Sequence, residues 1–243
     1  MPRANRTYCA GHIWHITHRC HQRQFLLRFA RDRRAWRDWL FKACRRYGLC
    51  VLNYIATSNH VHLLILDRGK NEIPVAMQLV AGRTGQDYNR RKNRRGAFWE
   101  DRYHSTAVQA DGHLHRCIVY IDLNMVRAGR VSHPADWDVS GFHEIQQPPV
   151  RKGIVDHAAL CDLLNLPSVE QLRYTHATWL NAELAASTRH AAWTESLAVG
   201  DAKFLEAFRR DQGISCRNRS IIDDDDFHYL RDDSTTYRLF SVS

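Results

Sequence analysis

Hydrophobic and polar positions change period several times along this chain, and each change marks an element. His12-Ile13-Trp14-His15-Ile16-Thr17 alternates, as a strand with one buried face does. From Ala30 to Tyr47 the spacing becomes helical: Ala35, Trp36, Trp39, Leu40, Ala43, Cys44 and Tyr47 form one stripe, closed by Gly48. Leu49 to Ala56 predicts a second strand, Thr57-Ser58-Asn59 a tight turn and His60 to Leu66 a third strand, which together make a hairpin. Pro74 opens a second helix running to about Arg91, its basic end placed as the macrodipole favours. Gly96 breaks the pattern, and Phe98 to Val108 predicts a fourth strand. Asp111 then caps a third helix through Val126, stopped at Gly129.

The resulting order, β-α-β-β-α-β-α, predicts an α+β fold: a ferredoxin-like, four-stranded antiparallel sheet with packed helices. Gln146-Gln147-Pro148-Pro149 reads as a linker, dividing the chain into a main domain over 1–147 and an extension over 148–243. Beyond it, Asp156–Asn165, Ser168–Ala186, Thr188–Val199 and Asp201–Arg210 read as short helices, with Leu172, Trp179, Leu180 and Leu184 as their core. Residues 213–243 read as a loosely ordered tail, and Asp223 to Asp226 as a solvated acidic run.

Composition narrows the possibilities. A chain of 243 residues with 44% hydrophobic positions can bury a real core. Its seven cysteines are scattered with no C-x-x-C, which fits reduced thiols rather than a disulfide framework or a zinc knuckle. The start lacks the apolar run of a signal peptide, and no stretch approaches the ~20 apolar residues of a membrane span. The expectation is a soluble cytoplasmic protein. Charge is uneven: residues 1–150 hold 24 Lys and Arg against 12 Asp and Glu, whereas 151–243 hold 11 against 14. The positive field therefore belongs to the first part, above all to Arg90-Arg91-Lys92-Asn93-Arg94-Arg95. Such a run can be a plain solvated face, but an Arg-rich, domain-specific excess points to a polyanion, with nucleic acid foremost.

Two short segments hold the candidate chemistry. In a strand His60 and His62 share a face; on a helix Tyr120 and Asn124 are stacked neighbours one turn apart. Side by side, such a strand and helix bring two imidazoles and a carboxamide next to a phenol, a set able to hold a divalent cation beside a nucleophile. The plain alternative is real, since H-x-H also occurs at His113 and His115, which read as a polar helix start, and a tyrosine between Val119 and Ile121 is often core. His60 and His62 differ because they flank a buried apolar run, where imidazoles need partners.

Taken in order, Tyr54-x-x-Thr57-Ser58-Asn59-His60-Val61-His62-Leu63-Leu64, Gly96-x-Phe98-Trp99-Glu100-Asp101-Arg102-Tyr103 and Tyr120-Ile121-Asp122-Leu123-Asn124-Met125-Val126-Arg127-Ala128-Gly129 resemble the HUH-type single-strand transposases. More narrowly, they resemble the REP-associated tyrosine transposases of bacteria, over roughly residues 8–145. The resemblance implies that His60 and His62 bind the metal, that Tyr120 is the nucleophile and that Asn124 is a third ligand. Met125 stands where these proteins commonly have Pro, a departure that loosens a helix end without removing a catalytic group. The implied activity is transesterification on single-stranded DNA with Mg²⁺ or Mn²⁺, through a 5′-phosphotyrosine. Its implied substrates are hairpins formed by short palindromic repeats, and its implied state is a monomer or homodimer. Arg83, Arg90, Arg91, Lys92, Arg94, Arg95 and Arg102 are the candidate backbone contacts, and Trp99 and Tyr103 the candidates for base stacking, unless those rings are core. Two other classes stay open: a binding module that needs neither histidine, and a metallohydrolase that uses activated water and tolerates loss of Tyr120.

Overall fold

The computed structural model describes residues 10–110, 112–151, 153–186, 192–213, 219–224 and 227–231. Four strands lie where the alternating runs predict them or close by: β1 (Ile13–Arg19), β2 (Cys50–Ala56), β3 (His60–Leu66) and β4 (His104–Val108). They pair antiparallel in the order β2-β3-β1-β4, which is ferredoxin-like. Register fixes the faces. Thr17 is opposite both His62 and His104, and His15 is opposite Leu64 and Thr106, so His15, Thr17, His62, His104 and Thr106 line one face.

Helix α1 (Ala30–Tyr47) ends at Gly48 in the left-handed region, φ +69°, as its periodicity predicts. It packs on α2 (Glu72–Lys92) and on β2, where Trp36 approaches Tyr54. Helix α3 (Gly112–Asp122) contacts β2, β3 and β4 from the opposite, histidine-bearing face. After a break at Leu123 comes α4 (Asn124–Arg127), and Gly129 follows it at φ +63°. The expected cap, Asp111, lies outside the described residues.

The sheet is larger than the four strands expected. After α5 (Gly141–Gln146), α6 (His157–Leu163) and α7 (Val169–Ala186), residues 187–191 lie outside the described residues, and the described chain resumes with a helical turn, α8 (Ala192–Glu195), and strand β5 (Ser196–Val199). Of the expected helix over Thr188–Val199, Ala192–Glu195 is helical and its end is corrected: Ser196–Val199 is a strand, with Ala198 and Val199 pairing in parallel with Ala107 and Val108 at the open edge of β4. Helix α9 (Ala202–Asp211) follows as expected. The supposed loose tail contains a hairpin, β6 (Ile221–Asp224) with β7 (Phe227–Arg231), so the full order is β2-β3-β1-β4-β5-β7-β6. Of the acidic run, Asp223 pairs with His228 at 2.9 Å, while Asp225 and Asp226 lie outside the described residues. The extension therefore mixes strands with its helices.

Two further differences have local causes. Only His104–Val108 of the expected Phe98–Val108 strand is regular. Upstream of it the pairing shrinks to one antiparallel bridge between Cys20 and Trp99, while Phe98 is buried against Tyr88 and Trp99 stacks on His18. Leu180 is buried with Trp179 and Leu184 beside it and clusters with Val119, Leu123 and Phe142, so this core is shared with α3, while buried Leu172 joins the main core. The five described cysteines, at 20, 44, 50, 117 and 161, form no disulfide, and burial pushes the Cys20, Cys44 and Cys50 thiols up to about 12.

Candidate active site

Strand β3 presents His60 and His62 on one face with ring centroids 4.8 Å apart. Helix α3 lays Tyr120 across that face, its ring edge-on to His62 at 5.9 Å, and one turn later Asn124 Nδ2 sits 3.1 Å from His62 Nε2. The two segments sixty residues apart therefore meet, and all four side chains line a cavity of about 380 Å³.

Each imidazole is anchored through Nδ1. In His60 that nitrogen lies 2.7 Å from Asn59 Oδ1 and 3.0 Å from Thr57 Oγ1. In His62 it lies 2.9 Å from His15 Nε2 and 3.2 Å from Thr17 Oγ1. His15 is fully buried, and desolvation lowers its pKa to about 4, so the ring is neutral at physiological pH. Its own Nδ1 donates to the Trp193 carbonyl at 2.7 Å.

The phenol is held on several sides. Trp193 and His15 flank its ring at 6.2 and 5.9 Å, and the Arg127 guanidinium lies over it at 5.6 Å from the centroid. Arg127 is itself paired with Glu183 of α7 at 3.0 Å. One turn-end away, Asp122 accepts from His176 Nε2 at 2.8 Å and from Asn53 Nδ2 at 3.0 Å, tying α3 to both α7 and β2.

The rest of the lining is informative in its charge. Arg19, Arg23, Arg127 and Arg130 border the cavity, and no carboxylate is among its described lining residues. Exposed Phe25 stands at the same rim. A cavity of this composition suits an anion carrying an aromatic group.

The donor set fits a divalent cation in kind. Among the described residues no group of three or more His, Cys, Asp or Glu side chains could hold a metal, so a cation here has to recruit the Asn124 amide alongside His60 and His62. All three donors are neutral, so a bound cation keeps its full charge and calls for an anionic ligand. Two nitrogens favour Mn²⁺ over the oxygen-seeking Mg²⁺.

None of the nine expected DNA contacts lines this cavity. Arg83 lies over Trp39, Arg90 pairs with Asp87 at 2.6 Å, Arg91 pairs with Asp32, and Arg94 bonds to Asn89 at 3.1 Å. Lys92 lies over Phe29, while Arg95 and Arg102 are exposed. Trp99 stacks on His18 at 4.1 Å and donates to the Ala81 carbonyl, and Tyr103 meets His18 edge-on, so both rings are packed. The arginines that do reach the cavity had a legible signal in part. Arg127 is seven residues after Tyr120 and hence on its helix face, and alternation places His15 and Thr17 together on β1. Nothing local singles out Arg19, Arg23 or Arg130.

The family model described as "Transposase IS200 like" matches residues 9–124, a segment that contains His60, His62, Tyr120 and Asn124. That segment, just under half of the chain, is similar to the IS200-like transposases. No curated protein matches it. Among solved structures, a REP-associated tyrosine transposase bound to a REP hairpin superposes with a TM-score of 0.51 at 20% identity, covering 64% of this chain and 94% of that one. A candidate transposase from Deinococcus radiodurans aligns with a TM-score of 0.36 at 15% identity, over 53% of this chain and 98% of its own. The first likeness extends to the α+β architecture. No described helix is long and apolar enough to cross a membrane.

Proposed function

We propose that this chain is a DNA transposase that cleaves and rejoins single-stranded DNA at hairpin-forming repeats, with Tyr120 as nucleophile and a divalent cation held by His60, His62 and Asn124. The reading is supported above all by one observation: the phenol, both imidazoles and the amide border a single cavity rimmed by four arginines. Tyr120 Oη forms the new bond to phosphorus as the bond from phosphorus to the 3′-oxygen breaks, and the phenolic proton ends on the freed 3′-hydroxyl. The product is a 5′-phosphotyrosine that preserves the phosphodiester's free energy. A second 3′-hydroxyl can therefore reverse the step and join strands without ATP. Bound at the three donors, Mn²⁺ or Mg²⁺ would supply Lewis acidity toward a non-bridging phosphate oxygen. Arg127 and Arg130 are placed to offset the remaining phosphate charge, and the 3′-5′ polarity follows from the family resemblance.

A hairpin substrate is favoured because the superposable REP-associated transposase is bound to a REP hairpin. The test uses labelled single strands bearing hairpins with randomised flanks, incubated with protein and Mn²⁺. An SDS-resistant protein–DNA band that EDTA abolishes is the expected result. Cleavage without that band would turn the reading to a metallohydrolase, and retardation with neither product to a binding module.

The arginines yield a second expectation. Replacing Arg23 and Arg130 by Gln should weaken single-strand binding several-fold and reduce the salt slope by up to about 0.7 per lost phosphate contact. The matched control is Arg90→Gln with Arg91→Gln, whose side chains already pair with Asp87 and Asp32. An equal loss in both double variants, read by fluorescence anisotropy across salt concentrations, would show that the cavity arginines have no special share in binding.

A further inference from the structure

A buried relay links the C-terminal extension to the histidine pair, and its hydrogen-bond directions follow one by one. A carbonyl can only accept, so the 2.7 Å contact between His15 Nδ1 and the Trp193 oxygen places a hydrogen on His15 Nδ1. His15 is fully buried against Tyr120 and His62, and in its neutral ring one nitrogen donates and the other accepts. His15 Nε2 is therefore an acceptor, and the 2.9 Å contact to His62 Nδ1 requires the hydrogen on His62. That leaves His62 Nε2 with a lone pair, directed at Asn124 Nδ2 3.1 Å away, an amide donor. Every donor in the series meets an acceptor.

We infer that His15 is a positioning residue which, held by the Trp193 carbonyl, locks His62 in the Nδ1–H tautomer and so turns a lone pair on Nε2 toward the substrate cavity. An imidazole accepts a metal only through an unprotonated nitrogen, and partners of its other N–H set which nitrogen that is. Here the partner is a histidine rather than the more usual carboxylate or carbonyl. The carbonyl behind it comes from α8, more than sixty residues past the segment that matches the transposase family. Thr106 Oγ1, 3.4 Å from the same oxygen, supports it from β4. The extension thereby becomes part of the site's chemistry as well as of its packing. The relay deepens the proposed cation site, but the tautomer itself exists without a cation, so the two can fail separately.

The test is a long-range ¹H–¹⁵N correlation spectrum of the full-length, metal-free protein, followed by Mn²⁺ titration. In the wild type, His15 and His62 should each carry hydrogen on Nδ1 and show an unprotonated Nε2. His62 protonated at Nε2 in that spectrum overturns the inference without any variant. Removing both acceptors, with His15→Phe and Thr17→Val, should populate the other His62 tautomer and weaken Mn²⁺ binding about 10–100-fold. His15→Gln, whose amide oxygen can accept in place of Nε2, should restore the wild-type tautomer and most of the affinity. A folded double variant with unchanged His62 tautomer overturns the inference. The expected tautomers in a wild type that binds no Mn²⁺, with or without hairpin DNA, would uphold the relay and sink the cation reading alone.

Discussion

Tyr120→Phe should bind hairpin single strands as the wild type does and form no covalent adduct. The substitution removes one oxygen, the atom proposed to bond to phosphorus, and keeps the ring that packs against His15, His62, Trp193 and Arg127. Only 7% of the residue is exposed, so nearly all of its contact area survives and the fold should melt within a few degrees of the wild type. Loss of a nucleophile typically costs at least ~10⁴-fold, so adduct should fall below detection on a denaturing gel while anisotropy reports an unchanged Kd. Binding that disappears with the adduct would make Tyr120 a structural residue. Undiminished strand cleavage in the variant would pass the attack to water.

The largest stability effect should come from Asp122→Ala. Asp122 is 1% exposed, and its two oxygens accept from His176 and Asn53, which are themselves buried. Truncation leaves both partners in the core: His176 keeps its contact with Gln146 at 2.7 Å but its Nε2 loses the carboxylate, and Asn53 Nδ2 keeps the Ile118 carbonyl at 3.2 Å but loses the second of its two acceptors. Breaking a buried, hydrogen-bonded pair from one side costs about 3–5 kcal/mol, because the desolvation of the survivor is no longer offset. For a chain of this size each kcal/mol moves Tm by about 2–4 °C, so a drop of about 10 °C or more is expected by circular dichroism. Asp122→Asn retains an oxygen and should lose much less. A Tm within 2–3 °C of wild type for the alanine variant would show that water enters and solvates the gap. Since α3 also bears Tyr120, the same variant tests whether anchoring to α7 positions the nucleophile, read as adduct yield at a temperature where the protein is still folded.

What the sequence by itself determined is what short periods encode. A repeat of two put His60 and His62 on one face of β3, and a repeat near 3.6 stacked Asn124 on Tyr120. The same periods drew α1 to its terminal residue and ordered the first four strands, because each element buries a stripe that its own residues spell out. Cations were legible as a total and a trend, but their destination was not: Arg90, Arg91 and Arg94 are held by neighbours on or beside α2, while Arg19, Arg23, Arg127 and Arg130 converge from separate parts of the chain. Strand β5 was hidden for a related reason. Ser196–Val199 is too short to show a period, and its strand character comes from the open edge of β4, some ninety residues earlier. The His15–Trp193 contact spans 178 residues, and no local pattern records which carbonyl will meet a buried imidazole. Tertiary structure alone decided that, because a hydrogen bond's partner is chosen by where folding brings two groups together, whereas periodicity reports only the face each group was on beforehand.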